Sequence, residues 1–215
     1  MTDFAAARRH MVDGQVRTAD VTDHRIIFAM LEVPRERFVP PDATALAYLD
    51  LAHPVGGGRC LLKPVVLARL IQAADLATAD RVLVVGCATG YSAAVIAHIA
   101  GEVVALEQDA ALAASAEAAL ASQPNATVVM GPLVDGWPQN APYDAIFVDG
   151  AVELVPDAFR KQLQDGGRLV CVLGGRPQPS AMLYRRSGEE LGGRAIFDAA
   201  AAALPGFAKT PAFAF

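Results

Sequence analysis

The sequence has no long hydrophobic run. No stretch approaches the ~18 uninterrupted apolar residues that a membrane span requires, and the 53% hydrophobic content and positive mean hydropathy come mostly from alanine spread along helical patterns. The opening Met-Thr-Asp-Phe lacks a basic region followed by an apolar core, so no secretory signal is expected. Cysteine is scarce: Cys60, Cys87 and Cys171 are odd in number and widely spaced, which excludes a disulfide framework and points to a reducing, cytoplasmic setting. Positive charge is scarce too. A net charge of −5 leaves no electrostatic footprint for nucleic acid, and the basic pairs Arg8-Arg9, Arg35/Arg37 and Arg185-Arg186 read as solvated faces. His10, His24, His53 and His98 are isolated in sequence, so solvated or helix-packing roles are expected, with no Ser/His/Asp constellation and no metal-ligand cluster.

What is present centres on Arg81 to Gly90, R-V-L-V-V-G-C-A-T-G, followed by Glu107 in V-V-A-L-E-Q-D. A short β-branched run that breaks at a glycine and enters an Ala-rich helical pattern predicts a buried parallel strand feeding a tight turn. Glycine is needed there because a ligand must come close to the main chain. An acid about twenty residues further on falls at the tip of the next strand, where it can accept hydrogen bonds from both hydroxyls of a ribose. The spacing therefore suggests a nucleoside-containing cofactor resting over Gly86, its sugar held by Glu107. A dinucleotide fingerprint needs G-x-G-x-x-G, but this chain has Gly86, Ala88 and Tyr91 at those positions. A Walker loop needs a lysine after its last glycine, and Tyr91 follows Gly90. An ordinary strand-to-helix turn with two glycines would look the same. Cys87, inside the turn, is expected to be a small buried residue.

In order along the chain, Asp3 is expected to cap a helix closed by Gly14, and Thr22 a second helix, with Ile26, Ile27, Met30 and Leu31 on one face, that stops at Pro34. Val33 to Pro41, V-P-R-E-R-F-V-P-P, is too proline-rich for a regular element and reads as an ordered connection. Gly56-Gly57-Gly58 opens a segment expected to be flexible, ending at Pro64, the first residue of a helix through about Leu76. From Arg81 strands (near 81–85, 103–107, 127–130, 144–148 and 168–172) alternate with helices (near 90–100, 110–122 and 153–164). Residues 181–187 and about 194–204 then read as antiparallel strands, and the final F-A-K-T-P-A-F-A-F is expected to pack on that edge. The pattern predicts an α/β fold: a doubly wound, mostly parallel seven-stranded sheet with helices on both faces, an antiparallel C-terminal edge and a small helical N-terminal extension. The division expected is 1–78 for the extension with the substrate-side loops and 79–215 for the sheet core, together one compact domain.

The G-x-[GA]-x-G of Gly86, Ala88 and Gly90 resembles the first motif of S-adenosylmethionine-dependent methyltransferases. V-P-R-E-R-F-V-P-P, A-Y-L-D (47–50), a Gly-rich segment before K-P-V-V-L-A-R-L, the Gly86 turn, A-P-Y-D-A-I-F-V-D-G-A (141–151) and Q-L-Q-D-G-G-R-L-V occur in the order of the protein-L-isoaspartate O-methyltransferase family, from about Met11 to Gly174. The resemblance implies a Rossmann-like core, S-adenosyl-L-methionine as cofactor, and methyl transfer to the free α-carboxylate of isoaspartyl residues in damaged peptides or proteins. From the charge and the lack of a long apolar run no nucleic-acid or membrane partner is expected; a monomer or weak homodimer is, with Phe207, Phe213 and Phe215 available as a dimer patch or as core. A carboxylate is already ionised near neutral pH, so such a site needs positioning and water exclusion rather than a strong base.

By the resemblance, Gly86, Cys87, Ala88, Gly90, Tyr91, Glu107, Gln108, Pro132 and Leu133 are the cofactor-binding candidates. Leu62, Lys63 and Asp149 are the candidates at the methyl-transfer site. Several of these depart from the family pattern. Leu62 stands where the family has the serine of T-I-S-Q-P, Val84 where it has an acid, Ala88 where it has a glycine, and Gly131-Pro132-Leu133 where it has G-D-G. Lys63, whose ammonium can pair with a carboxylate, and Asp149, at a central strand end, are left to hold the substrate group. The alternative is a methyltransferase fold with weakened or lost catalysis that serves as a binding or scaffold protein.

Overall fold

The computed structural model describes residues 3–175 and 178–209. Asp3 caps α1 (Phe4–Met11), its carboxylate accepting from the Ala6 N–H at 3.0 Å. Gly14 does not close the helix. The coil runs on as a π turn (Val12–Val16) and a 3-10 turn (Arg17–Ala19) and stops at Asp20, whose φ of 61° is left-handed, because Val12 and Val16 are buried and packing sustains the winding past the glycine. The cap of α2 (His24–Glu32) is Asp23 rather than Thr22. The Asp23 carboxylate accepts from Arg25 N–H at 2.8 Å, while the Thr22 N–H goes to Gln72 Oε1. Ile26, Ile27 and Met30 are buried as the periodicity requires, and Leu31 is half-buried.

The proline-rich connection is ordered by 3-10 turns at Arg35–Phe38 and Pro41–Leu46. Arg35 is no solvated face: it is fully buried, its Nε donating to the Ala47 carbonyl (2.9 Å) and its Nη2 to the Leu62 carbonyl (2.7 Å). Nor is Gly56–Gly58 a flexible stretch. β1 (His53–Gly56) and β2 (Arg59–Leu61) form an antiparallel hairpin whose turn takes left-handed φ of 100°, 56° and 71° at the three glycines. A side chain at Gly57 would meet Asp109, so the hairpin tip lies against the start of a later helix. His53 is buried in this hairpin, against the expectation of a solvated or helix-packing histidine. α3 (Pro64–Ala74) starts at Pro64, whose missing N–H costs nothing at the first helical position.

Alternation then sets in: β3 (Arg81–Val85), α4 (Tyr91–Ala97), β4 (Glu102–Glu107), α5 (Ala110–Leu120), β5 (Ala126–Met130), β6 (Tyr143–Val152), α6 (Asp157–Gln162), β7 (Leu163–Leu173), β8 (Ser180–Ser187) and β9 (Glu190–Asp198). The sheet order is β5-β4-β3-β6-β7-β8-β9, parallel through β7 and antiparallel at the β8–β9 edge. Period-two alternation divides β3 between two cores: Val82 and Val84 face the layer of α1 to α5, while Leu83 and Val85 face the layer of α6 and the chain's end. β6 outruns the expected 144–148 because a register shift between Phe147 and Ala151 lets pairing with β7 resume beyond Asp149 and Gly150. α6 is much shorter than 153–164, since Pro156 precedes its start.

The last expected strand is displaced: β9 ends at Asp198, and residues 199–207 leave the sheet. They cross the carboxyl end of β6, where Ala151 N–H donates to the Ala202 carbonyl, Leu204 N–H to the Ala151 carbonyl (both 2.8 Å) and Glu153 N–H to the Phe207 carbonyl (3.2 Å). Phe207 is core, its ring 5.9 Å from that of Phe159 on α6 rather than on the β9 edge; Phe213 and Phe215 lie outside the described residues. No helix among the described residues is long and apolar enough to cross a membrane.

Candidate functional site

The strand order reverses between β3 and β6, and in an open α/β sheet the crevice beyond the strand ends at that point is where ligands bind. The chain brings Gly86 from β3, Glu107 from β4 and Asp149-Gly150 from β6 to it. The turn after β3 is anchored by Gly86 N–H and Cys87 N–H, both donating to the Leu106 carbonyl (2.8 and 3.1 Å), and Thr89 ties it to the Phe38 carbonyl at 2.6 Å. Gly86 (φ 76°) and Gly90 (φ 96°) need glycine's freedom. Ala88 does not have it, yet holds φ 51°, a left-handed conformation that costs a non-glycine residue about 1 kcal/mol or more. Its N–H donates to Glu107 Oε2 at 2.8 Å, which repays part of that strain.

Glu107 is fully buried. Besides Ala88, it accepts from Gln108 N–H (2.9 Å), Asp109 N–H (3.2 Å) and Arg59 Nη1, which lies 3.0 and 2.9 Å from its two oxygens. Arg59 comes from β2 and is itself buried; its Nη2 donates to the Gly86 carbonyl at 2.6 Å. A Cβ on Gly86 would stand 2.6 Å from that guanidinium nitrogen and 3.2 Å from Leu204 Cδ2, and a Cβ on Gly150 would stand 2.5 Å from the same Leu204 carbon. The space that the two glycines clear is thus taken by Arg59 and by Leu204 of the 199–207 segment. The acid fits a nucleoside cofactor in type and position; its oxygens accept from Arg59 and three backbone N–H groups, and Arg59 and Leu204 lie against the two glycines. A surface cavity of about 550 Å³ lies elsewhere, between Pro34–Phe38, α4 and α5.

The other expected residues distribute around this centre. Asp149 is buried, accepts from the Ser92 hydroxyl in a short hydrogen bond, and leaves Oδ1 unpartnered. Burial pushes its pKa up to about 6, against the opposing pull of Ser92 and of the Arg59 and Arg35 charges. Cys87 is a small buried residue, its thiol pushed well up by burial. Tyr91 is buried with the Arg35 guanidinium 4.6 Å above its ring, and burial raises its hydroxyl. Leu62 is buried and offers only its carbonyl, to Arg35. Lys63 is half-buried at the start of α3. Val84 is core. Gln108 and Pro132 are exposed, Leu133 is buried, and Gly131 lies against the Trp137 ring. Arg59 and Leu204 are not legible as site residues, because Arg59 lies 27 and 48 residues from its partners Gly86 and Glu107, and Leu204 lies farther still from Gly86 and Gly150.

A strand-turn-helix bend beside the switch point, with a buried acid at the tip of the neighbouring strand β4, defines an open-sheet protein of the doubly wound α/β class. The family profile described as protein-L-isoaspartate(D-aspartate) O-methyltransferase matches residues 6–197. A protein-L-isoaspartate O-methyltransferase from Roseiflexus castenholzii is 41% identical over 191 residues, 88% of this chain and 87% of its own. A solved protein-L-isoaspartate O-methyltransferase superposes with TM-score 0.81 at 27% identity, over 93% of this chain and 66% of that one. A Plasmodium falciparum structure in complex with S-adenosyl-L-homocysteine shares the fold at TM-score 0.76 and 15% identity, over 95% of this chain and 99% of that one. The chain belongs to the protein-L-isoaspartate(D-aspartate) O-methyltransferase family.

Proposed function

We propose that the chain is an S-adenosylmethionine-dependent O-methyltransferase that acts on a carboxylate, the isoaspartyl group of a damaged peptide or protein, in the cytoplasm. The observation that carries this reading is the family match across 6–197, which covers most of the helical extension and most of the sheet core. The buried acid at the β4 tip supports it. In this reading Gly86, Ala88, Gly90 and Glu107 are the cofactor side of the crevice, and Lys63 and Asp149 take the part of the substrate side that Leu62 has lost. The test is methyl incorporation from labelled S-adenosylmethionine into an isoaspartyl peptide and into its normal aspartyl isomer. Transfer to the isoaspartyl form alone is expected; equal or absent transfer refutes the repair assignment.

One observation favours the second reading, a methyltransferase fold kept for binding. Arg59 and Leu204 lie against Gly86 and Gly150, and Arg59 pairs with Glu107, at the residues expected to meet the cofactor. Fold alone does not carry activity, and a chain of this second kind transfers no methyl group to either peptide.

A further inference from the structure

The segment that closes the crevice lies outside the residues that the family profile matches, which end at 197. Residues 199–207 are seated by backbone hydrogen bonds to Ala151 and Glu153 and by the Phe207–Phe159 contact, and they carry Leu204, only 5% exposed, to the glycine faces of Gly86 and Gly150. A parallel bridge between Ala151 and Ala203 completes the attachment. From the opposite side Arg59 reaches in from a hairpin whose tip rests against Asp109. Glycine at 86 and 150 is what a ligand approaching the backbone demands, and here the backbone is approached by the protein itself. A guanidinium at this point also neutralises the carboxylate that would grip a ribose, so its departure is needed before Glu107 has a lone pair to offer.

We infer that residues 199–207 and Arg59 form an internal occupant that competes with the cofactor for the crevice, so that ligand binds only to the fraction of molecules in which Leu204 has withdrawn and Arg59 has swung away. The inference rests on the reading that this crevice is the cofactor's. It makes the C-terminal segment an autoinhibitory contact. Apparent affinity is the intrinsic affinity scaled by the open fraction, so weakening the occupant tightens binding without any new contact to ligand. Truncating Leu204 removes a buried side chain that favours only the closed arrangement, which raises the open fraction by about tenfold to a hundredfold.

The experiment is calorimetric titration of S-adenosylhomocysteine into the full chain and into Leu204→Ala, Phe207→Ala and Arg59→Gln. Phe207 packs on Phe159 of α6, so its truncation loosens the anchorage of the segment. Hydrogen exchange at the Ala151 and Leu204 amides reports release of the segment in each variant. Weak binding by the unaltered chain, with roughly tenfold or greater tightening in Leu204→Ala and Phe207→Ala alongside faster exchange, is expected. Equal dissociation constants in all four proteins, or faster exchange with no gain in affinity, overturn the inference. Isoaspartyl methylation separates the two claims. Tightening in the opened variants without transfer to the isoaspartyl peptide keeps the occupant and refutes the repair function. Transfer by the unaltered chain with no gain on opening keeps the function and refutes the occupant.

Discussion

Glu107 and Arg59 are not equal partners, and mutational thermodynamics will show it. Both side chains are withdrawn from water, at 0% and 3% exposure, with the guanidinium within 3.0 Å of both carboxylate oxygens. Removing one member of such a pair leaves the other as a buried charge, a loss of about 3–5 kcal/mol. After Arg59→Met, however, Glu107 keeps the N–H groups of Ala88, Gln108 and Asp109, which reduces the expected loss to about 2–3 kcal/mol. After Glu107→Gln the guanidinium keeps only the Gly86 carbonyl and one amide oxygen, so the full ~3–5 kcal/mol is expected, a fall in melting temperature of roughly 6–20 °C for a chain of this length. The double variant should lie about 1–3 kcal/mol above the sum of the singles. Urea unfolding followed by the fluorescence of Trp137, the only tryptophan, measures all four proteins. The reasoning is refuted by additivity within about 0.5 kcal/mol, or by Arg59→Met proving the costlier single change. Because the pair is buried, the coupling should also survive added salt that screens surface charges.

Ala88→Gly should stabilise the protein by about 0.5–1.5 kcal/mol, since it relieves a left-handed φ on a residue with a Cβ and the gain outweighs glycine's extra backbone entropy; urea midpoints check this. Asp149 has a folded-state pKa raised to about 6 by burial, so the folded chain binds the extra proton between the ordinary carboxylate value and that one. Stability should therefore be greatest near pH 4 on this account and fall as pH rises through about 6, by roughly 2–3 kcal/mol. Asp149→Asn should flatten that slope and raise stability at pH 7–8, measured as urea midpoints across pH. Arg35→Lys keeps a charge but loses the fork that bridges the Ala47 and Leu62 carbonyls; a loss of about 2–3 kcal/mol is expected from thermal melting, and Arg37→Lys on the same turn should be silent.

The sheet was legible because its information is local. β3, β4 and β5 are uncharged inside and β-branched, and their ends fall at glycine, at an acid and at Gly131, within a residue of the expected bounds. The Gly56–Gly58 hairpin was missed because three consecutive glycines suggest freedom, whereas here each supplies a left-handed turn residue that β1 and β2 need in order to pair. Arg35 was misread for a different reason. Charge pattern alone cannot show that a guanidinium finds carbonyls 12 and 27 residues away. The crevice was found from the spacing of Gly86 and Glu107. What fills it was not, because Arg59 and Leu204 reach it only through tertiary folding, and the pattern for 194–204 looked like one more strand. Its first half is one, as far as Asp198; Leu204 is then called away by the glycine-lined gap beside β6.

That last segment has an implication for synthesis. The bend after β3 and the tip of β4 are encoded before residue 152, where β6 ends, whereas Leu204 and Phe207 lie some fifty residues further along. The roughly fifty residues between them take about 3–10 seconds to synthesise at ~5–20 residues per second, so the strands that carry the crevice are made before the segment that covers it.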